Sequence, residues 1–218
     1  MAENLSEYID HTLLKPYTSE EAVKGLCEEA LVHNFAAVCV PPYFVKLSHS
    51  ILRNSDVGVA SVVGFPNGYE HIGTKVDSIK RSIDNGADEL DVVINISAIK
   101  SDRWQDIESE IDSLVTACKM KGKKIKLIIE AALLTSAELD RLIPVLIESV
   151  PHFVKTSTGY HVPDDQLSLI TYLRSQLPDT IRLKASGGIR SPELAKALVL
   201  AGADRLGTSS ALKLLGKT

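Results

Sequence analysis

The chain has 218 residues, 24 Lys and Arg against 28 Asp and Glu for a formal charge of -4, and 44% hydrophobic residues with only 5% aromatics. This is an ordinary globular composition with its charges spread rather than blocked, which gives no footing for nucleic acid or a membrane surface. The length suits one domain over residues 1–218, slightly below the roughly 250 residues typical of a complete (β/α)8 barrel.

The opening MAENLSEYIDHT lacks both the basic and the apolar region of a secretory signal, and no run approaches about 18 apolar residues, so a cytoplasmic protein is expected. Tyr8 to Thr12 can form a brief strand after a short N-terminal helix, with Asp10 at the strand end. Thr18 with Glu21 reads as a capping box that opens the first long helix. Apolar runs then mark strands at 35–40 (FAAVCV), 57–63 (VGVASVV), 89–94 (ELDVVI) and 124–130 (KIKLIIE), with three more near 153–156, 181–185 and 205–208. Amphipathic helices fall at 71–84, 98–121, 135–149, 164–177 and 191–201, followed by a last short one. Thr135 with Glu138 and Ser191 with Pro192 mark two of their starts. Unbroken alternation of strand and helix means parallel strands with right-handed crossovers, in an open sheet or a closed barrel. Counting Tyr8 to Thr12 gives eight strands, and a (β/α)8 barrel is the expected fold.

Lys155 and Lys184 each interrupt a short apolar run, HFVKTSTGY and IRLKASGG. A lysine inside a strand is costly, because burial strips its hydration. Two such amines side by side should depress at least one pKa and so yield a neutral nucleophile, whose attack on a carbonyl forms a Schiff base. Asp91 shares its strand face with Glu89, Val93 and Asn95, and an inward carboxylate needs a partner, for which the two lysines are candidates. Lys126 and Glu130, also on one face, read as a structural pair. Three turns offer backbone N–H groups to a phosphate: Ser157-Thr158-Gly159, Ser186-Gly187-Gly188 and Gly207-Thr208-Ser209-Ser210, with Arg190 nearby. Cys27, Cys39 and Cys118 are scattered, so reduced thiols are expected, Cys39 as cavity wall. The six histidines show no ligand spacing, so no metal is expected.

With IDHTLLKP at 9–16, AAVCVPP at 36–42, VVGFPNG at 62–68, GADELDVVINI at 86–96, KLIIE at 126–130, VKTSTGY at 154–160, KASGGIR at 184–190 and GTSS at 207–210, the chain resembles the short bacterial deoxyribose-phosphate aldolase family along nearly its whole length. The resemblance implies a cofactor-free, metal-free class I aldolase that reversibly splits 2-deoxy-D-ribose 5-phosphate into D-glyceraldehyde 3-phosphate and acetaldehyde, in deoxyribonucleotide catabolism. It further implies Lys155 as the Schiff-base lysine, with Lys184 holding down its pKa and, together with Asp91, moving protons. Asp10, Asn95 and Thr158 would meet substrate hydroxyls or an ordered water. Gly159, Gly187, Gly188, Gly207, Ser209 and Ser210 would hold the phosphate of this small-molecule phosphosugar partner, and a homodimer is expected as the commonest state of such barrels. Ala131 and Ala132 follow Glu130 where the family usually has threonine, and LLGKT lacks a tyrosine some members carry. The nearest alternative is a related Schiff-base lyase or thiolase acting on another phosphorylated carbonyl compound.

Overall fold

The computed structural model describes residues 4–217. Its eight strands are β1 (Ile9–Thr12), β2 (Ala37–Val40), β3 (Gly58–Val63), β4 (Glu89–Val93), β5 (Lys124–Ile128), β6 (Phe153–Lys155), β7 (Arg182–Ser186) and β8 (Arg205–Thr208). They close in sequence order into one barrel, and every neighbouring pair, including β1 with β8, is parallel. The expected (β/α)8 architecture is therefore present, with a single 3-10 turn at Leu5–Tyr8 as the short N-terminal helix.

The helices are α1 (Glu20–His33), α2 (Val45–Leu52), α3 (Ile72–Asp84), α4 (Ile96–Lys100), α5 (Trp104–Lys119), α6 (Ser136–Ser149), α7 (Gln166–Gln176), α8 (Pro192–Leu200) and α9 (Ala211–Leu214). Helix α6 starts with the capping box of Thr135 and Glu138, and α8 with Ser191 at the cap and proline in the first turn. Two expectations need correction. Helix α1 is capped by Ser19, whose hydroxyl accepts from Ala22 N, while the Thr18 hydroxyl donates back to the Lys15 carbonyl in the preceding turn. The stretch 98–121 is two helices, because the chain leaves helical geometry at Asp102, φ 55. Period alone does not register such a break, since the apolar residues on both sides bury against the same barrel.

The strand register decides which side chains meet. Residues paired across parallel strands share a face, so the chain of pairs Asp91 with Lys126, Lys155 with Lys184, Lys184 with Arg205 and Gly207 with Asp10 turns all these residues inward. The alternate residues, among them Leu90, Val92, Leu127, Val154, Leu183 and Leu206, pack outward against the helices as the main core. Within the barrel the filling is uneven. On β2 and β3 it is small and apolar, Ala37, Cys39, Ala60 and Val62, whereas on the other strands it is charged. The Phe153 ring lies beneath, with Arg182, Arg205 and Lys126 stacked 5.1, 5.6 and 5.9 Å from its centroid.

Candidate active site

Asp91 is the hub of the barrel interior. Its Oδ2 accepts from Lys155 Nζ at 2.9 Å and from Lys184 Nζ at 2.7 Å, and its Oδ1 accepts from Lys126 Nζ at 2.8 Å. Lys184 also donates to Asp10, whose other oxygen accepts from Arg205 at 2.5 Å. Lys126 reaches Glu89 at 2.6 Å, and Arg205 lies 3.4 Å from the same carboxylate. Asp10, Asp91, Lys126 and Lys184 are completely buried. The architecture that allows this is local. A Cβ on Gly207 would meet Lys184 Cε and Ser186 Cβ at 3.0 Å, so the missing side chain on β8 is what lets Lys184 lie across the barrel.

Burial by itself would raise the pKa of each carboxylate, but the cations overturn it. Lys126, Lys155 and Lys184 hold Asp91 well below its ordinary value, and Lys184, Lys126 and Arg205 do the same for Asp10. Lys126 and Arg205 likewise lower Glu89 against its burial. The depressed lysine expected from two adjacent amines is not found at Lys184. Burial works to lower it, yet Asp10 and Asp91 outweigh burial and the neighbouring Lys126, and its pKa is raised. Lys184 is thus an ammonium held between two carboxylates. Lys155 touches one carboxylate only and borders the cavity.

That cavity, about 440 Å³, opens at the C-terminal ends of the strands. Lys155, Thr158, Gly159, Gly187, Gly188, Gly207, Ser209 and Ser210 all line it, joined by Thr12, Lys15, Phe65, Tyr160 and Arg190. Asp10, Asp91 and Lys184 lie below it in the barrel rather than on its wall. Gly187 and Gly188 have successive φ values of 95° and 68°, a run of positive φ that glycine adopts without strain, and the Gln166 amide pins the Gly187 carbonyl at 2.7 Å. The Gly159 N–H donates to Ser157 Oγ at 2.8 Å and the Ser210 N–H to Thr208 Oγ1 at 3.0 Å, so these two amides already have partners.

Two expectations resolve differently. Asn95 is not brought to the cavity lining: its Oδ1 caps α4 by accepting from Ala98 N at 3.2 Å, and its own N–H donates to Glu110. Lys126 and Glu130 do not pair, because β5 ends at Ile128 and the chain turns into a left-handed conformation at Glu130, aiming its carboxylate at Thr158. Arg205 was not singled out as a functional residue from the sequence. Its signal was inward parity with Lys184, visible only once β7 and β8 are in register. Cys39 is buried in the barrel as expected of a wall residue, and burial, reinforced by Asp91, pushes its thiol up to about 11 despite the lysines nearby, which removes nucleophilic thiolate near neutral pH.

A family model described as DeoC/LacD family aldolase matches residues 6–214. The deoxyribose-phosphate aldolase of Lactiplantibacillus plantarum is 41% identical over 98% of this chain and 99% of its own length. That of Thermococcus kodakarensis is 42% identical over 97% and 95%. Among solved structures, the aldolase QR15 superposes with a TM-score of 0.92 at 34% identity, covering 98% of this chain and 95% of that one. The tetrameric deoxyribose phosphate aldolase of Aeropyrum pernix gives 0.89 at 33% identity, covering 97% and 89%.

Proposed function

The chain belongs to the DeoC/LacD family of aldolases, and from that premise we propose that it reversibly cleaves 2-deoxy-D-ribose 5-phosphate to D-glyceraldehyde 3-phosphate and acetaldehyde through a Schiff base on Lys155. The observation that carries the assignment is the sharing of one carboxylate oxygen, Asp91 Oδ2, by Lys155 at 2.9 Å and Lys184 at 2.7 Å. Four buried cations, Lys126, Lys155, Lys184 and Arg205, face three buried carboxylates, Asp10, Glu89 and Asp91. The one with a single carboxylate partner and access to the cavity is Lys155, which makes it the amine placed to attack.

The amine adds to C1 of the open-chain sugar, water leaves, and the resulting iminium accepts the electron pair of the C2–C3 bond as that bond breaks. The C3 hydroxyl gives up its proton and becomes the aldehyde of glyceraldehyde 3-phosphate. The enamine left on Lys155 takes a proton at C2, and hydrolysis then releases acetaldehyde. Asp91 and Lys184 are assigned to move these protons, since Asp91 Oδ2 accepts from both Lys184 and Lys155. The iminium serves as the electron sink, so the scheme calls on no metal or cofactor.

The phosphate is assigned to the glycine turn of Gly187 and Gly188 and to Ser209, with Gly159, Gly207 and Ser210 completing the wall. Anchoring at that end orients the sugar carbons over Lys155, and orientation of this kind accounts for several kcal/mol of barrier reduction. Thr158 and, from below, Asp10 are assigned to the substrate hydroxyls or an ordered water. Asn95, whose Oδ1 caps α4, would join them through its Nδ2. We also propose one functional domain, a cytoplasmic workplace and association into a homodimer. Among the described residues no helix is long and apolar enough to cross a membrane.

Incubation with 2-deoxyribose 5-phosphate and borohydride, followed by peptide mass spectrometry, tests the assignment. A reduced adduct on Lys155 is the expected result. An adduct elsewhere, or none in folded protein that also releases no glyceraldehyde 3-phosphate, overturns it.

A further inference from the structure

Glu130 stands beside the cavity but takes no part in the reaction as written, and its setting is unusual in two respects. Its backbone is left-handed, φ 43 and ψ 56, a conformation disfavoured for a residue with a Cβ. Its side chain is only 3% exposed and binds a single residue twice: Oε1 accepts from Thr158 N at 3.0 Å, and Oε2 accepts from the Thr158 hydroxyl. The adjoining backbone is tied to the same segment, with Ala131 N donating to the Thr156 carbonyl at 2.9 Å. The half-exposed His161 ring lies 3.7 Å from Oε2.

A threonine hydroxyl has one proton and two lone pairs. In Thr158 the proton is given to Glu130, and one lone pair accepts from Tyr160 N at 3.1 Å. The remaining lone pair belongs to a side chain on the cavity wall. An ionised carboxylate accepts only, so it cannot let the hydroxyl turn around and donate elsewhere. We infer that Glu130 is a positioning residue that fixes Thr158 as a hydrogen-bond acceptor toward the cavity, so that the site selects an acceptor aldehyde carrying a hydroxyl over one lacking it. A site built to accept from a hydroxyl disfavours the analogue without it, because the half-buried acceptor then loses its partner. The inference rests on the aldolase reading above.

The test is run in the synthetic direction, with acetaldehyde as donor. D-Glyceraldehyde 3-phosphate is compared with 3-oxopropyl phosphate, which keeps the aldehyde and phosphate but has no hydroxyl. In Glu130→Gln the amide can donate to Thr158, and the ratio of kcat/KM values for the two aldehydes should fall at least about tenfold, nearly all of it from the hydroxylated one. Thr158→Val should lose the same preference, and Glu130→Gln added to it should cost little more, while Thr158→Ser should retain the preference. Should Glu130→Gln fail to fold, Glu130→Gly suits the left-handed backbone and should show the same loss. An unchanged ratio, or equal losses for both aldehydes while borohydride still traps the imine on Lys155, overturns the inference alone. Absence of trapping in the unaltered protein overturns the aldolase reading with it.

Discussion

Two clusters of buried charge stand within the same fold, and they are built on opposite plans. Lys75 on α3 and Glu110 on α5 pair at 2.7 Å outside the barrel, one cation with one anion, with side chains 1% and 3% exposed. Their remaining capacity goes to backbone: Lys75 donates to the Gly68 and Val93 carbonyls, and Glu110 accepts from Asn95 N. The pair ties the loops after β3 and β4 together. In the barrel, by contrast, four cations share three carboxylates, and one of them borders a cavity. The difference teaches that burial of charge alone does not mark a reacting group. A balanced, backbone-satisfied pair is a fastener, whereas an unbalanced cluster with one member reaching a cavity is the candidate for chemistry.

The contrast breaks most severely at Lys155. Lys155→Ala should reduce turnover by roughly 10⁴-fold or more and abolish the borohydride adduct, while the urea midpoint changes little beside that loss. Asp91→Asn keeps the shape but removes the shared charge, and kcat should drop by about 10²- to 10⁴-fold with the adduct on Lys155 slowed rather than moved. On the other side, Lys75→Met should leave Glu110 buried and uncompensated and cost about 3–5 kcal/mol in urea denaturation. Adding Glu110→Leu should recover most of that loss, and failure to recover it would deny the balanced-pair reading.

Acid sharpens the comparison, because the two clusters titrate with opposite sign. Asp10, Glu89 and Asp91 have folded pKa values below their unfolded ones, so the stability they contribute is fully present above about pH 4 and is lost as pH falls below that, through the folded values. Glu110 is raised, because burial outweighs Lys75 and the Asn95 amide, so its contribution is fully present below about pH 4 and is lost as pH rises through its folded value. Urea midpoints across this range should therefore show Lys75→Met/Glu110→Leu gaining on the unaltered protein as pH rises from about 4, and Asp10→Asn converging with it as pH falls. The smallest effect belongs to the rim: Ser209→Ala removes one exposed hydroxyl worth about 1 kcal/mol and should raise KM several-fold with kcat within about twofold.

Much of this was legible in the residues. Alternation of strand and helix implied parallel strands, the count of eight pointed to a closed barrel, and a lysine interrupting each of two apolar runs marked the candidate residues, because a charge inside a strand is costly. The glycine turns after β6 and β7 also stood out, since composition signals them locally. Lys126 was the residue misread: one strand face suggested Glu130 as its partner, whereas its partners are Asp10, Glu89 and Asp91 on other strands.

The sequence by itself determined the barrel, its layers and the candidate amines, because periodicity and the cost of buried charge act along the chain. Tertiary structure alone decided the charge states and the partners: Lys184 and Arg205, from the far end of the chain, both donate to Asp10 in one buried interior. Electrostatic energy there depends on distances that only closure of the barrel sets.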